Sequence, residues 1–268
     1  MLTTLSSRKA GITSEVTFNR DGYGALVVHR TGGACRSRIA RTLRDVEQVV
    51  ADLQSGRADE HRAPAWEIGK AFDRNGRGEA VNLSIYGIDL VDGQPLGVVQ
   101  VRQYRRTRYQ ARHGLGGSVR KNYFLLGRNE GTGLPFAHPI ESRVVHAAVA
   151  RDPSPESPVT AARAWIFSVP LDKLPQVLRH GDVAAVPVRA LPRGERHVVA
   201  GTAAGTRIID NHILQAEEIV EVGKHVYARN PLLRHLNGQH ADVLGTGWFR
   251  IQVGHRASHW RFARPTAD

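Results

Sequence analysis

Apolar residues at Ile39, Leu43, Val46, Val50 and Leu53 recur at three- and four-residue steps, the period of one amphipathic helix, and Gly56 stands where a C-terminal cap belongs. Strand-like alternation precedes and follows it. Val16 and Phe18, then Leu26-Val27-Val28, flank Asp21-Gly22-Tyr23-Gly24, which predicts a hairpin over residues 14–31. Residues 80–88 and 96–104 read as strands joined by the turn Asp92-Gly93-Gln94-Pro95, and 122–127 as another. Polar residues 55–64 form a loop, 66–72 a short helix, and 73–78 a turn. A helix over 141–150 turns Val144, Val145, Ala148 and Val149 inward, and 134–139 reads as the exit of a turn.

Three prolines, Pro153, Pro155 and Pro158, interrupt the pattern. They mark a connector, followed by a helix over 159–167. Beyond residue 170 the chain reads as short strands at 182–188, 197–200, 208–214, 225–228 and 248–253, separated by Gly and Pro. The expected class is α+β. An N-terminal antiparallel sheet with a packed helix (1–150) leads through a helical connector (151–170) to a mostly-β small barrel or sandwich (171–268).

Composition changes this picture in two ways. The 268 residues carry 37 Lys and Arg against 25 Asp and Glu, a formal net charge of +12, and such an excess points to a polyanionic partner, nucleic acid first. The single cysteine, Cys35, excludes an internal disulfide and the thiolate-rich zinc sites, so any metal must be held by His and carboxylate. No apolar run is long enough to span a bilayer and the first residues lack the apolar core of a signal peptide, so the expectation is a cytoplasmic protein without a membrane partner.

The positive charge is concentrated. No acidic residue falls between Asp92 and Glu130, whereas Arg102, Arg105, Arg106, Arg108, Arg112, Arg120, Lys121 and Arg128 all do. Tyr104, Tyr109 and Tyr123 are interleaved among them, and arginine with aromatic faces is the combination single-stranded nucleic acid requires, phosphate pairing with base stacking. Gly114-Leu115-Gly116-Gly117-Ser118 adds a glycine-rich loop without the Lys-Ser/Thr ending of a nucleotide-binding P-loop. An acidic protein would suit the same charges.

A second chemical signal lies at Asp210-Asn211-His212, His235 and His240. On one strand Asp210 and His212 share a face, and the turn-like Leu236-Asn237-Gly238-Gln239 folds His235 and His240 toward each other. Three His and one carboxylate suit a divalent metal, zinc foremost among iron, manganese and nickel. His225, His255, His259, Glu217 and Glu218 are alternates, and His138 and His146 are expected to be structural. Gly181-Asp182-Val183 with Val186-Pro187-Val188, then Asp210-Asn211-His212, Leu233-Arg234-His235 with His240, and Gly247-Trp248-Phe249-Arg250 complete a longer pattern. Residues 180–262 thereby resemble an uncharacterised group of small bacterial and phage-associated β domains with a His-x-His strand and a closely spaced His pair. In that resemblance His212, His235 and His240 match the histidines, Asp210 replaces the first of the His-x-His pair, and the His pair is spaced more widely. It implies a β fold and a site, not an activity.

Three functions follow as expectations. The leading one is a nucleic-acid-binding accessory protein, RNA favoured, with a structural metal site. The second is a metal-dependent hydrolase in which Asp210, His212, His235 and His240 leave a position open for water. The third is a protein-interaction module.

Overall fold

The computed structural model describes residues 3–7, 14–31, 38–55, 57, 83–105, 109, 112–115, 118–129, 132–194, 196–198, 205–209, 211–236, 238 and 241–254. The chain divides into two units, one of the described residues up to Asn129 and from Gly133 to Ala162, the other of Thr132 and the described residues from Arg163 onward. The expected helix at 66–72, and with it Cys35, His255 and His259, lies outside the described residues.

In the first unit β1 (Thr3–Ser7), β2 (Ser14–Arg20) and β3 (Leu26–Thr31) form an antiparallel sheet in chain order. The amphipathic helix α1 runs from Arg38 to Gln54. Four strands follow as an antiparallel meander, β4 (Leu83–Val91), β5 (Gln94–Arg105), β6 (Ser118–Arg128) and β7 (Pro135–Ile140). Alternation along these strands decides which face is covered. Val99, Val101, Phe124 and Leu126 meet Val49, Val50 and Leu53 of α1, and Leu43 and Val46 join Phe18 and Ile88 in an adjoining cluster. Asp92 and Gly93 both take positive φ (50° and 80°) between Val91 and Gln94, the tight turn whose twist matches that of its strands.

Strand β7 was not expected because it holds Pro135 and Pro139. It is an edge strand, the one place in a sheet where a missing donor is tolerated. Helix α2 (Ser142–Arg151) buries Val145 and Ala148, and α3 spans Ser157–Ile166. The proline-rich stretch before α3 lies in the first unit. Arg20 holds it, donating to the carbonyls of Pro153 (3.0 Å) and Ser154 (2.8 Å), and Ile88 N donates to the carbonyl of Pro155 at 2.9 Å. Gly87 permits that approach, since a Cβ there would stand 2.9 Å from both Pro155 O and Pro158 Cβ.

The second unit carries two antiparallel sheets. One has the order β10 (Arg196–Val198), β13 (Glu218–Val222), β14 (His225–Arg229), β17 (Trp248–Val253), β9 (Val183–Val188), β8 (Leu178–His180). The other runs β11 (Thr206–Ile209), β12 (His212–Gln215), β15 (Leu232–His235), β16 (Val243–Leu244). Val183, Ala185, Ile219, Ala228, Phe249 and Ile251 of the first share a core with Leu214 and Leu233 of the second. Among the described residues neither sheet closes on itself, so the barrel alternative gives way to two open sheets over one core. The stretch 208–214, expected as one strand, is two, because Ile209 pairs with His212 as its antiparallel partner. Among the described residues no helix is long and apolar enough to cross a membrane.

Candidate functional sites

The basic tract is a two-stranded arm. Arg102 pairs with Lys121, Gln103 with Arg120, Tyr104 with Val119 and Arg105 with Ser118. The described part of β4 reaches only Val101, and β7 ends at Ile140 opposite Tyr123, so among the described residues these four pairs have no third strand. Arg106 and Arg108 lie outside the described residues, as do the side chains of Tyr104, Arg105 and Arg120. Beyond the arm Tyr109 is 65% exposed and its ring lies 4.3 Å from that of His113, with Arg112 exposed beside them. Lys121 Nζ stands 5.8 Å from the ring centre of Tyr23, itself 76% exposed. Tyr23 was not among the expected residues; it lies in the β2–β3 turn, remote from the tract in sequence.

Two members of the tract also bond within the fold. Arg128 donates to Asp52 Oδ2 at 2.5 Å and to the Gly133 carbonyl at 3.1 Å. Asp52 is buried in α1 and also receives Arg57 (2.7 Å) and Gln48 (3.0 Å). The hydrogen bond from Arg128 leads the causes that hold its carboxyl below the usual carboxylate range. Arg102 donates to Ser84 Oγ at 3.1 Å and is half-buried.

Next to the arm, on the sheet face turned away from α1, lies a polar chain. Strand β4 bulges between Ile85 and Gly87, and the bulge re-aims Tyr86, as bulges commonly do. Gln100 Nε2 donates to the phenol oxygens of Tyr86, at 3.0 Å, and of Tyr123. Tyr86 donates to the Tyr23 carbonyl at 3.0 Å, and Tyr123 meets His146 Nε2 at 2.8 Å. Tyr123 thus accepts from Gln100 and pairs with His146, the direction of that second bond being set by the tautomer of the imidazole. Burial leads the causes that raise the Tyr86 phenol far above its ordinary value. Arg20 fixes the bulge by donating to the Tyr86 carbonyl at 2.8 Å and to that of Gly24 at 2.8 Å.

In the second unit three histidines meet. His212 and His235 are cross-strand partners on β12 and β15. Leu236 N donates to Asn211 O at 2.9 Å, so the histidines occupy the next, non-hydrogen-bonded pair, where Cα atoms approach to about 4.5 Å. They continue the row of Leu214 and Leu233 and are 1% and 7% exposed. The third member, His180, is 2% exposed and comes from β8 of the other sheet. Ring centres lie 4.9 Å apart for His180 and His212, 5.0 Å for His212 and His235, and 6.5 Å for His180 and His235. Asp182 Oδ1 is 3.6 Å from His212 Nδ1, and Asn211 Nδ2 donates to His235 Nε2 at 2.9 Å.

The structure thus brings together His212 and His235 of the sequence-derived set, while Asp210 and His240 lie outside the described residues. His225 is on β14, and Glu217 and Glu218 are engaged near Arg229. His180 was missed, although it directly precedes Gly181-Asp182-Val183: the hairpin pairing His180 with Val183 leaves Gly181 and Asp182 as its turn. Among the described residues no group of three or more His, Cys, Asp or Glu side chains is placed where it could hold a metal ion, and His180, His212 and His235, with two of their rings 6.5 Å apart, fall short of it as they stand. No protein-family model matches the chain, and comparison with curated proteins and with solved structures gave no match either.

Proposed function

We propose that this protein is a nucleic-acid-binding accessory protein that grips RNA, or another single strand, with the β5–β6 arm. The observation that carries the reading is the register that sets Arg102 directly across from Lys121. Like charges opposite each other destabilise a strand pair, and a polyanion laid along the arm reverses that cost. Exposed aromatic rings beside the charges, Tyr109 and Tyr23, suit unpaired bases. The absence of acidic residues from 93 to 129 keeps the arm from neutralising itself.

The test is fluorescence anisotropy of a labelled single-stranded RNA across a salt series, with the triple variant Arg105→Ala, Arg106→Ala, Arg108→Ala. Each lost phosphate contact lowers the slope of log K against log salt by about 0.7, so the triple variant is expected to lower it by about 2. An unchanged slope removes the arm from the interface. Displacement of the RNA by polyglutamate at equal charge would redirect the site toward an acidic protein.

A further inference from the structure

We propose that His180, His212 and His235 form a binding site for one divalent transition-metal ion of the zinc class, with Asp182 orienting His212. This site is independent of the RNA-binding arm and differs from the set expected from sequence, because its third ligand comes from β8.

The positions themselves make the case. His212 and His235 continue a core row of leucines, where another leucine would fill the space without the cost of burying a polar ring. Three strands from two sheets each end with an imidazole at the same point. Imidazole binds zinc at about 2.0–2.1 Å, which puts each ring centre about 3.2 Å from the ion and tetrahedrally arranged rings about 5 Å apart. Two of the three spacings, 4.9 and 5.0 Å, already match. The third, 6.5 Å between His180 and His235, closes by a side-chain adjustment of roughly 1 Å, within the range of rotation about χ1 and χ2.

The surroundings match this use. A carboxylate behind the second nitrogen of a ligating histidine fixes its tautomer; Asp182 Oδ1 stands 3.6 Å from Nδ1 of His212, just beyond hydrogen-bond distance, and a small rotation would let it accept from that nitrogen and leave Nε2 for the metal. Asn211 donates to Nε2 of His235, so that nitrogen presents a lone pair and not a proton. The ion takes that lone pair and the exposed Asn211 side chain gives way. Neutral imidazoles without thiolates suit zinc, cobalt or nickel better than calcium or magnesium.

The experiment is a Co²⁺ titration of the whole, chelator-stripped protein, followed by its visible ligand-field bands, with Zn²⁺ added as competitor. The expected result is one Co²⁺ per chain, displaced by Zn²⁺. His180→Gln is expected to weaken binding more than tenfold, and Asp182→Asn by about tenfold, in the range for partners behind a metal ligand. His225→Gln, on β14, is expected to bind as the wild type does. A wild type without bands overturns the proposal. So does unchanged affinity in His180→Gln, and an ion that survives His180→Gln but is lost in His240→Gln belongs to the sequence-derived set instead. If His180→Gln does not fold, the wild-type titration and Asp182→Asn, whose carboxylate is half exposed, decide the matter.

Discussion

Each unit of this protein carries a polar cluster, buried in the second and reaching the surface at His146 in the first, and the two are built on opposite principles. In the first, unlike groups are linked: the Gln100 amide donates to two phenols, Tyr86 donates onward to a carbonyl, and Tyr123 pairs with His146. Such a chain is complete in itself and serves to fix the bulged β4 strand. In the second, three groups of one kind face each other, His180, His212 and His235, in edge-to-face and stacked contact. Grouped imidazoles of one kind are what the proposed cation would use, whereas a chain of paired donors and acceptors holds its members to one another.

If the first cluster is a brace, its anchors must dominate stability. Arg20 is the largest of them, since it serves the carbonyls of Gly24, Tyr86, Pro153 and Ser154 at once. Arg20→Ala is expected to lower stability by about 4 kcal/mol in urea unfolding, the sum of several charge-assisted hydrogen bonds discounted for partial access to water. A loss below about 1 kcal/mol would show that the bulge and the proline-rich stretch hold without it.

Asp52 gives a smaller effect with a defined pH dependence. Asp52→Ala leaves Arg128 without its buried partner and is expected to cost about 3 kcal/mol at neutral pH. The carboxyl is held below its ordinary value in the folded protein, so its contribution is fully present above the unfolded-state value near 3.9 and is lost as pH falls through the folded-state value. The wild type and Asp52→Ala curves of stability against pH should therefore converge in acid. Parallel curves down to the acid limit would mean that Asp52 contributes through packing alone.

The sequence made the periodic elements legible and hid those that depend on a partner. Helix α1 and the Asp92-Gly93 hairpin could be read because stripe and turn chemistry are local properties. Strand β7 was hidden by prolines acceptable only at a sheet edge, and the break between Ile209 and His212 by alternation that two strands of a hairpin imitate. His212 and His235 were singled out as candidates by their spacing, but their pairing across β12 and β15 depends on register, which spacing does not encode. His180 was invisible for the same reason: nothing near it in sequence bears on the other two. Arg128 shows the reverse error, since a run of charge gives no sign that one member reaches back to a buried carboxylate on α1.

The finest test of the contrast replaces one member of each cluster by an apolar ring. Tyr86→Phe removes a donor from the Tyr23 carbonyl and an acceptor from Gln100, leaving buried groups unmatched, and is expected to cost about 1–3 kcal/mol. His212→Phe, measured in chelator, substitutes an apolar ring within a row that already holds Leu214 and Leu233, and is expected to change stability by less than about 1 kcal/mol. With Zn²⁺ present at a thousand times its dissociation constant the wild type gains about 4 kcal/mol and the variant does not. The two proteins, close in stability without metal, should then separate by that amount in urea unfolding. A His212→Phe chain that is severely destabilised in chelator would mean that the histidines brace their core as the tyrosines do, and the distinction between the two clusters would be lost.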